Sequence, residues 1–217
     1  MKKKIIITLA LMSTSCFGAP YKTTHDCARF GDFAGLKEKL KEISVNTKDK
    51  QGNTVLHCAV SLSPDLKIVK YLIEKGVAIN AKNNIGKTAL QLLVFHPEPE
   101  IVEFFLQKGA NVNPEKVYYN SPLYGALLKY REFGLGEEDE KKKKMLKIID
   151  LLLKYNAKID GKTKELAKKT KDNKLIEKII KREKEQKEKE QKEKEMKEKE
   201  MKEKDVRERV GYVATQI

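Results

Sequence analysis

Two stretches of the chain repeat one another roughly 34 residues apart, and this period limits the folds that the sequence can adopt. The segment Gly52–His57 corresponds to Gly86–Gln91, and Ile68–Asn80 corresponds to Ile101–Asn113. A fixed period of this length is typical of folds in which similar units stack side by side. Such stacks bind other proteins more often than they catalyse reactions, so the repeat predicts an interaction protein.

Each repeat carries the signals for a turn and two helices. Thr54 and Thr88 are suitable N-caps for a short first helix. Gly76 and Gly109 suit the end of the second helix, where a left-handed residue is common. A degenerate first unit begins near Asp26, because apolar residues at helical spacing follow it.

The apolar positions of these units predict one continuous core. In the first unit, Leu36, Leu40 and Ile43 fall on one face of the second helix. A single unit of about 33 residues cannot bury its apolar face alone, so the faces of neighbouring units must pack together. The predicted core residues are Leu36, Leu40, Leu56, Ala59, Val69, Leu72, Leu90, Leu93, Val102, Phe105, Leu123, Ala126, Ile149 and Leu152.

A fourth unit begins at Ser121 and differs from the others by an insertion. Acidic and then basic residues occupy positions 132–144, and we expect 145–154 to form its second helix. Two polar segments, 163–170 and 173–180, are predicted to form a further pair of helices. The last repeat of a stack must face water on one side, so this lysine-rich pair fits a C-terminal cap.

The tetrapeptides that open the first helices carry a family resemblance. Thr54–His57, Thr88–Gln91 and Ser121–Tyr124 stand where the ankyrin repeat family has Thr-Pro-Leu-His, and Gly76 and Gly109 stand at its Gly-Ala position. The chain resembles that family over about residues 24–180. The resemblance implies an all-α ankyrin-repeat solenoid of about four repeats plus a cap. It also implies that the tetrapeptide histidine, His57, hydrogen-bonds the turns of its own and the adjacent repeat.

The N-terminus reads as a bacterial-type secretory signal. Three lysines precede an apolar run, Ile5–Met12, that is too short to span a bilayer. Cleavage after Gly18 is favoured, because Cys16 and Gly18 then supply the small residues at the two critical positions. A lipid anchor at Cys16 is the alternative, although the preceding residues depart from the lipoprotein pattern. The sequence therefore predicts export to the periplasm or the medium, with no transmembrane segment.

Two cysteines remain after such a signal is removed. Cys27 and Cys58 occupy equivalent positions in neighbouring units. Packed helices lie about 8–10 Å apart, whereas a disulfide needs Cα atoms within about 7 Å. Two buried free thiols are therefore favoured over a disulfide, which an oxidising compartment would permit.

A charged low-complexity segment covers 181–210, and residues 181–204 of it contain only lysine, arginine, glutamate, glutamine and methionine. Glutamate precedes lysine by four residues at eight places between 183 and 204. Pairs in this orientation stabilise a helix by roughly 2–4 kcal/mol in total. No heptad seam is present, so we expect a solvated single helix, with disorder as the alternative. The last residues, 211–217, are expected to form a flexible tail, with a short docking peptide as the alternative.

No pattern of residues points to catalysis or to a cofactor. The chain has three histidines, His25, His57 and His96, and none has the cysteine or histidine spacing of a metal site. Phosphate-binding loops and nucleophile elbows are also missing from the sequence. We therefore expect a protein that is not an enzyme, binds no cofactor or metal, and is a monomer.

The resemblance places partner-binding residues on the turn tips and first helices, along the concave face. Aromatic side chains there are of most interest because they contribute disproportionately to binding. The turn residue Ile85 belongs to the same surface. The candidate residues are Lys50, Gln51, Asn53, Ser61, Leu62, Asn84, Lys87, Phe95, His96, Tyr118 and Tyr124.

Three functions remain open at this point. The first is an adaptor whose repeats hold a protein partner while the charged helix spaces it. The second is an inhibitor or protective protein that masks an enzyme with the same face. The third is a basic protein whose C-terminal half binds anionic polymer or lipid. Nucleic acid is a poor match, because the net charge of +14 comes mainly from lysines, many of them interleaved with glutamate.

Overall fold

The computed structural model describes residues 23–114, 121–133 and 140–214, without the side chains of residues 203 and 205–214. These ranges contain helices and turns and no β-strand. The helices are α1 (Thr24–Phe30), α2 (Phe33–Lys39), α3 (Val55–Ala59), α4 (Leu66–Glu74), α5 (Ala89–Leu93), α6 (Pro99–Gln107), α7 (Pro122–Glu132), α8 (Glu140–Lys154), α9 (Gly161–Lys169) and α10 (Asn173–Ala214).

The helices stack in two layers. The inner layer contains the first helix of each pair, in the order α1, α3, α5, α7 and α9, and each contacts the next. The outer layer contains α2, α4, α6, α8 and α10, and each packs on the inner helix that precedes it. This is the predicted repeat solenoid, and the all-α fold with a long C-terminal helix is confirmed.

The core lies between the two layers and runs through the whole stack. Every predicted core residue is buried except Leu40, which is partly buried against the same cluster. Phe105 and Tyr130 are the largest of the buried side chains. Because each unit contributes only a few apolar residues, the core exists only when neighbouring units are in place.

The helix ends follow the local signals in the sequence. Thr88 caps α5 in a capping box, because the Gln91 side chain accepts a hydrogen bond from the Thr88 backbone N–H at 2.8 Å. Gly76 and Gly109 adopt left-handed backbone angles, with φ of 79° and 83° after α4 and α6. Asn156 takes the same role after α8 with φ of 61°. Asparagine tolerates this conformation better than most residues, which explains the missing glycine.

Three asparagines form a ladder of hydrogen bonds between successive repeats. Asn46 donates to the Gly76 carbonyl (3.3 Å) and accepts from the Ala78 N–H (2.7 Å). Asn80 makes the same two bonds to Gly109 (3.0 Å) and Asn111 (2.7 Å). In the next step Asn113 bonds Asn156 (2.9 Å) and Lys158 (2.7 Å). Each rung satisfies backbone groups at the end of an outer helix and fixes the register of the next unit.

The first unit is shorter than its apolar pattern predicts. Helix α2 ends at Lys39, and Ile43 is 43% exposed rather than buried. The chain turns after Leu40, so the helical spacing that linked Leu36 to Ile43 does not continue. The prediction that Ile43 extends the apolar face of this helix is wrong for that reason.

The second helix of the fourth unit starts earlier than predicted. Helix α8 begins at Glu140, not at residue 145, and residues 134–139 of the insertion lie outside the described residues. Lys142 is 8% exposed, with its Nζ 5.3 Å from the Tyr130 ring centre. Long lysine stems can cover apolar surface in this way, so a lysine-rich segment continues the helix without leaving the core. Tyr130 also donates a hydrogen bond to Asp172 (2.5 Å), which caps the start of α10.

Helix α10 is packed on the stack at its start and projects from it beyond Gln186. Leu175 and Ile179 are buried, Glu183 pairs with Lys164 (3.0 Å), and Gln186 donates to the Ala157 carbonyl (2.8 Å). The packed part therefore reaches past residue 180, where we expected the repeat domain to end. Beyond Gln186 the described side chains are exposed as far as residue 204. The projecting part, 187–214, is about 42 Å long at 1.5 Å per residue.

The projecting helix shows some of the expected ion pairs. Lys187 lies 2.8 Å from Glu183, and Lys202 lies 2.8 Å from Glu198. The helix continues past Gly211 to Ala214, beyond the stop that we expected at residue 210. One glycine costs a helix only about 1 kcal/mol, which does not require a break. Among the described residues, no helix has the length and apolar character needed to cross a membrane.

The ladder predicts that Asn80 stabilises the stack although it is exposed. Replacing Asn80 by alanine removes both inter-repeat bonds and should lower the free energy of unfolding by about 1–2 kcal/mol. Asn80→Asp keeps the oxygen that accepts from the Asn111 N–H, so it should lower the unfolding free energy by less. Urea denaturation measures both effects. Gln107→Ala, an exposed change on α6, is the control and should stay within about 0.5 kcal/mol; equal losses at the two positions would contradict the ladder's role.

Candidate protein-binding surface

Two neighbouring turns are hydrogen-bonded into one unit, which we call the turn platform (residues 48–53 and 82–87). Asn84 donates its backbone N–H to the Gln51 carbonyl (2.9 Å) and its side-chain amide to the Lys50 carbonyl (3.1 Å). The Lys48 ammonium donates to the Lys82 carbonyl (3.0 Å), and further in, Asn83 donates to the Asn53 side chain (2.9 Å). The platform is therefore fixed before any partner arrives.

Asp49 organises the first turn from inside. Its Oδ1 accepts hydrogen bonds from the backbone N–H groups of Gln51 (2.9 Å) and Asn53 (2.8 Å), and its Oδ2 accepts from the Asn53 amide (3.1 Å). Arg29 lies 3.8 Å from the same Oδ2. Partial burial by itself would raise the pKa of Asp49, but the hydrogen bonds from Asn53 and Gln51 outweigh it and lower the pKa. The carboxylate stays ionised and is occupied by its own turn.

Gly52 allows the two turns to approach so closely. Its φ is +75°, and a Cβ added there would lie 2.2 Å from Asn84 Oδ1 and 2.8 Å from the Asn84 backbone nitrogen. Any side chain would push the second turn away. The glycine is therefore required both by the backbone conformation and by the contact between repeats.

His57 joins the base of the platform to the inner helices, as the resemblance implied. Its Nδ1 accepts from the Thr54 N–H (3.2 Å), so its Nε2 donates to the Lys87 carbonyl of the next repeat (3.0 Å). Burial lowers the pKa of His57, and the bond to Lys87 opposes this only in part. His25 makes a similar bridge one unit earlier, to the carbonyls of Thr47 (3.0 Å) and Asn53 (3.1 Å).

A second group of candidate residues lies at the ends of the inner helices. His96 is hydrogen-bonded to the Ser61 backbone, and partial burial lowers its pKa despite that bond. Leu62, next to Ser61, is 57% exposed. Phe95 is half-buried, and a Cβ at Gly125 of α7 would lie 3.3 Å from its ring. The absence of that Cβ makes room for the phenyl ring between neighbouring inner helices.

The structure separates the candidate residues by what their side chains do. Lys50, Gln51 and Asn84 are exposed and meet on the platform. Asn53 is half-buried and its side chain is engaged with Asp49 and Asn83. Tyr118 lies outside the described residues. The remaining candidates, Ser61, Leu62, Lys87, Phe95, His96 and Tyr124, are half-buried or exposed.

Sequence reasoning missed the residues that hold the platform together. Lys48, Lys82 and Asn83 were not among the candidates, although Lys48 and Lys82 occupy the same position of successive repeats. The recurrence of the same polar residue one repeat period apart in this chain is the signal that marks this pair. Asn83 corresponds to Asp49 in the same way, and its Oδ1 likewise accepts from two N–H groups of its own turn.

The outer face has a different character. Phe33 and Tyr71 meet edge to face with ring centres 5.3 Å apart. Lys37 and Lys67 each place Nζ 4.7 Å from the Phe33 ring centre. Such contacts cover apolar rings with lysine stems and stabilise the surface. The clefts found between outer helices are shallow, and Glu74 lines one of them alongside the lysines.

The described residues contain little that could perform chemistry. They include no group of three or more histidine, cysteine or acidic side chains placed to hold a metal ion. Cys27 and Cys58 are free and buried, and burial raises the pKa of both thiols. Both thiols are thus kept in the protonated, unreactive form.

Comparison with known proteins identifies the repeats. Residues 24–116 match the family model described as ankyrin repeats (3 copies). The chain is 52% identical over 42 residues to an ankyrin repeat protein of fowlpox virus, a match that covers 19% of this chain and 8% of that protein. It is 28% identical over 116 residues to ankyrin repeat domain-containing protein 13C-A of Xenopus laevis (53% of this chain, 22% of that protein).

A third relative shows how far the likeness extends. The nuclear factor NF-kappa-B p105 subunit of Gallus gallus is 30% identical over 136 residues, or 60% of this chain and 12% of that protein. The chain spans less than a quarter of the length of each of these three relatives. What is shared is the repeat architecture.

Gly52→Ala should destabilise the protein and loosen the platform. The left-handed backbone and the contact with Asn84 together should cost about 1–3 kcal/mol of unfolding free energy. Gly161→Ala is the matched control, because a Cβ at Gly161 meets no atom within 4 Å. Thermal or urea unfolding of both variants measures the difference, and a neutral Gly52→Ala would show that the turns are not tightly joined.

The lowered pKa of His57 predicts that the protein becomes less stable at acidic pH. The pKa of His57 is near 6.5 in the unfolded chain and lower in the folded one, so the unfolded state binds more protons below about pH 6.5. Stability should therefore fall as the pH drops through that region, and His96 acts in the same direction. His57→Gln, which copies the residue of the next repeat, should reduce the fall in urea denaturation series; an unchanged pH dependence would contradict this assignment.

Proposed function

We propose that this chain, which belongs to the ankyrin repeat family, is a non-enzymatic adaptor that binds a protein partner on the inner face of its repeats. Ankyrin repeats form a protein–protein interaction domain. The turn platform carries the proposal for this particular chain. It is a rigid, exposed structure in which Lys50, Gln51 and Asn84 make no contribution to the core.

The inner face offers apolar contact area beside the platform. Ile85 is 68% exposed at the tip of the second turn, and Leu62 is 57% exposed at the end of the first α-helix of its repeat. Isolated exposed apolar residues are common on protein surfaces. Here Ile85 stands on a preformed polar platform, and apolar contacts with a polar rim are the composition of a typical interface.

The long helix has a supporting role in this proposal. Helix α10 is anchored to α8 by the Lys178–Asp150 ion pair, to α9 by the Glu183–Lys164 ion pair and to the loop between them by Gln186, and it then projects about 42 Å. It would hold a second attachment point, or a neighbouring structure, away from the repeat stack. We further propose that the protein is exported, because lysines and then a short apolar run occupy its N-terminus.

A second function is favoured by one observation, the charge of the C-terminal part of the stack. Residues 140–180 hold 14 lysines and 6 acidic residues, a net charge of +8 (14 − 6), and most of these side chains are exposed. Such a surface attracts anionic polymers or lipid headgroups. Binding of this kind should fall steeply with salt, whereas an apolar contact should not.

The adaptor proposal is tested by capture with surface variants. Leu62→Ser and Ile85→Ser remove exposed apolar contacts on the inner face, and Ile180→Ser is the control because Ile180 is 47% exposed on α10. We expect a stoichiometric protein to be captured by the wild-type protein and by the control, and lost from the two inner-face variants. Each change should reduce affinity about tenfold if the residue is an anchor.

The alternatives give different results in the same experiment. A partner enzyme that loses activity on capture would make the protein an inhibitor that uses the same face. Equal capture by all variants, abolished by raised salt, would instead support binding through the basic C-terminal part. Capture that neither the variants nor salt affects would place the partner elsewhere and reject both proposals.

A further inference from the structure

The turn platform carries more positive than negative side chains. Its two segments contain four lysines, Lys48, Lys50, Lys82 and Lys87, and one acidic residue, Asp49. Both carboxylate oxygens of Asp49 are engaged by its own turn and lie beside Arg29. The carboxylate therefore points its charge inward and leaves the outer surface of the platform positive.

Hydrogen bonds between the turns fix the backbone positions of these lysines. Lys48 reaches across to the Lys82 carbonyl, and the Lys50 carbonyl accepts from Asn84. Two backbone segments that each carry lysines are thus held side by side at hydrogen-bonding distance. An anionic partner would therefore meet lysines on both turns at once.

Apolar surface adjoins the positive platform. Ile85 stands on the second turn between Asn84 and Gly86, and it is the most exposed of the large apolar side chains in the described part of the repeat stack. A polyanion such as a nucleic acid or a phosphate polymer would gain nothing from this side chain. An acidic protein segment with interspersed apolar residues would use both the charge and the isoleucine.

We propose that the turn platform recognises an acidic segment of the protein partner, with glutamate or aspartate side chains over Lys50 and Lys87 and an apolar side chain against Ile85. This inference rests on the proposed function and names the chemistry of its partner. Because the platform is preformed, the partner's segment pays most of the ordering cost of binding. Complementary charge should mainly raise the association rate and exclude basic competitors.

The test uses a peptide probe rather than the natural partner. The probe is a short fluorescein-labelled peptide of glutamate, leucine and serine, and its sign-inverted twin has lysine in place of glutamate. Fluorescence anisotropy measures the binding of each to the full chain. We expect the acidic peptide to bind and the basic peptide not to bind. A failure of the acidic peptide to bind at low salt would overturn the inference.

Charge-reversal variants locate the binding site. The double variant Lys50→Glu/Lys87→Glu should bind the acidic peptide at least about tenfold more weakly than the wild type. Two controls change the net charge by the same amount elsewhere: Lys70→Glu/Lys108→Glu on the outer face and Lys181→Glu/Lys184→Glu on α10, all at exposed lysines. Both controls should remain within about twofold of the wild type. Lys50→Arg/Lys87→Arg keeps the charge and should retain binding, which would show that the positive charge at these two positions is what the peptide recognises.

The outcomes separate this inference from the function on which it depends. Equal weakening by all three charge reversals would mean attraction by net charge alone and would overturn the inference. If only the α10 variant weakens peptide binding, the inference is also overturned, and the basic C-terminal surface is favoured as the binding site. If the platform variant leaves peptide binding intact while Leu62→Ser abolishes partner capture, the adaptor function stands and the acidic chemistry fails.

Discussion

The stack depends on hydrogen bonds that each repeat makes to the next. A unit with five- and nine-residue helices such as α3 and α4 has too little apolar surface to hold its backbone by itself. Asn80 and His57 supply the missing constraint, because each forms a hydrogen bond to the backbone of the next repeat. Register between units is thereby fixed by polar groups, and the core residues meet in one arrangement.

Other hydrogen bonds between successive repeats explain why the turn platform is rigid while remaining polar. Turns at a surface usually satisfy their backbone groups with water, and they move accordingly. Here the carbonyls of Lys50, Gln51 and Lys82 are satisfied by the neighbouring turn instead. Their side chains are left outside on a fixed frame. The side chains of Lys50 and Gln51 take no part in the bonds between the turns, so these two residues can vary at little cost to the fold.

The sequence predicted the architecture and most of the core, because the apolar residues recur at the spacing of helices and the repeat period is strong. It misplaced the start of α8, since four lysines at 141–144 gave no sign that one of them, Lys142, covers Tyr130. It named Lys50 and Asn84 as surface residues, yet not the bonds between their turns. Contacts between units depend on backbone positions such as that of Gly52, and residue type alone does not reveal them.

Helix α10 leaves the stack without a hinge, since the packed and projecting parts share one continuous helix. A helix turns by 100° for each residue as it rises by about 1.5 Å. The number of residues in the projecting part therefore sets both the distance of the tip from the stack and its orientation around the helix axis. Loss of a single lysine or glutamate would shorten the arm very little but would swing the tip through more than a quarter of a circle. A full pentad would turn it by about 140°, so copies with different repeat numbers would present their tips in different directions.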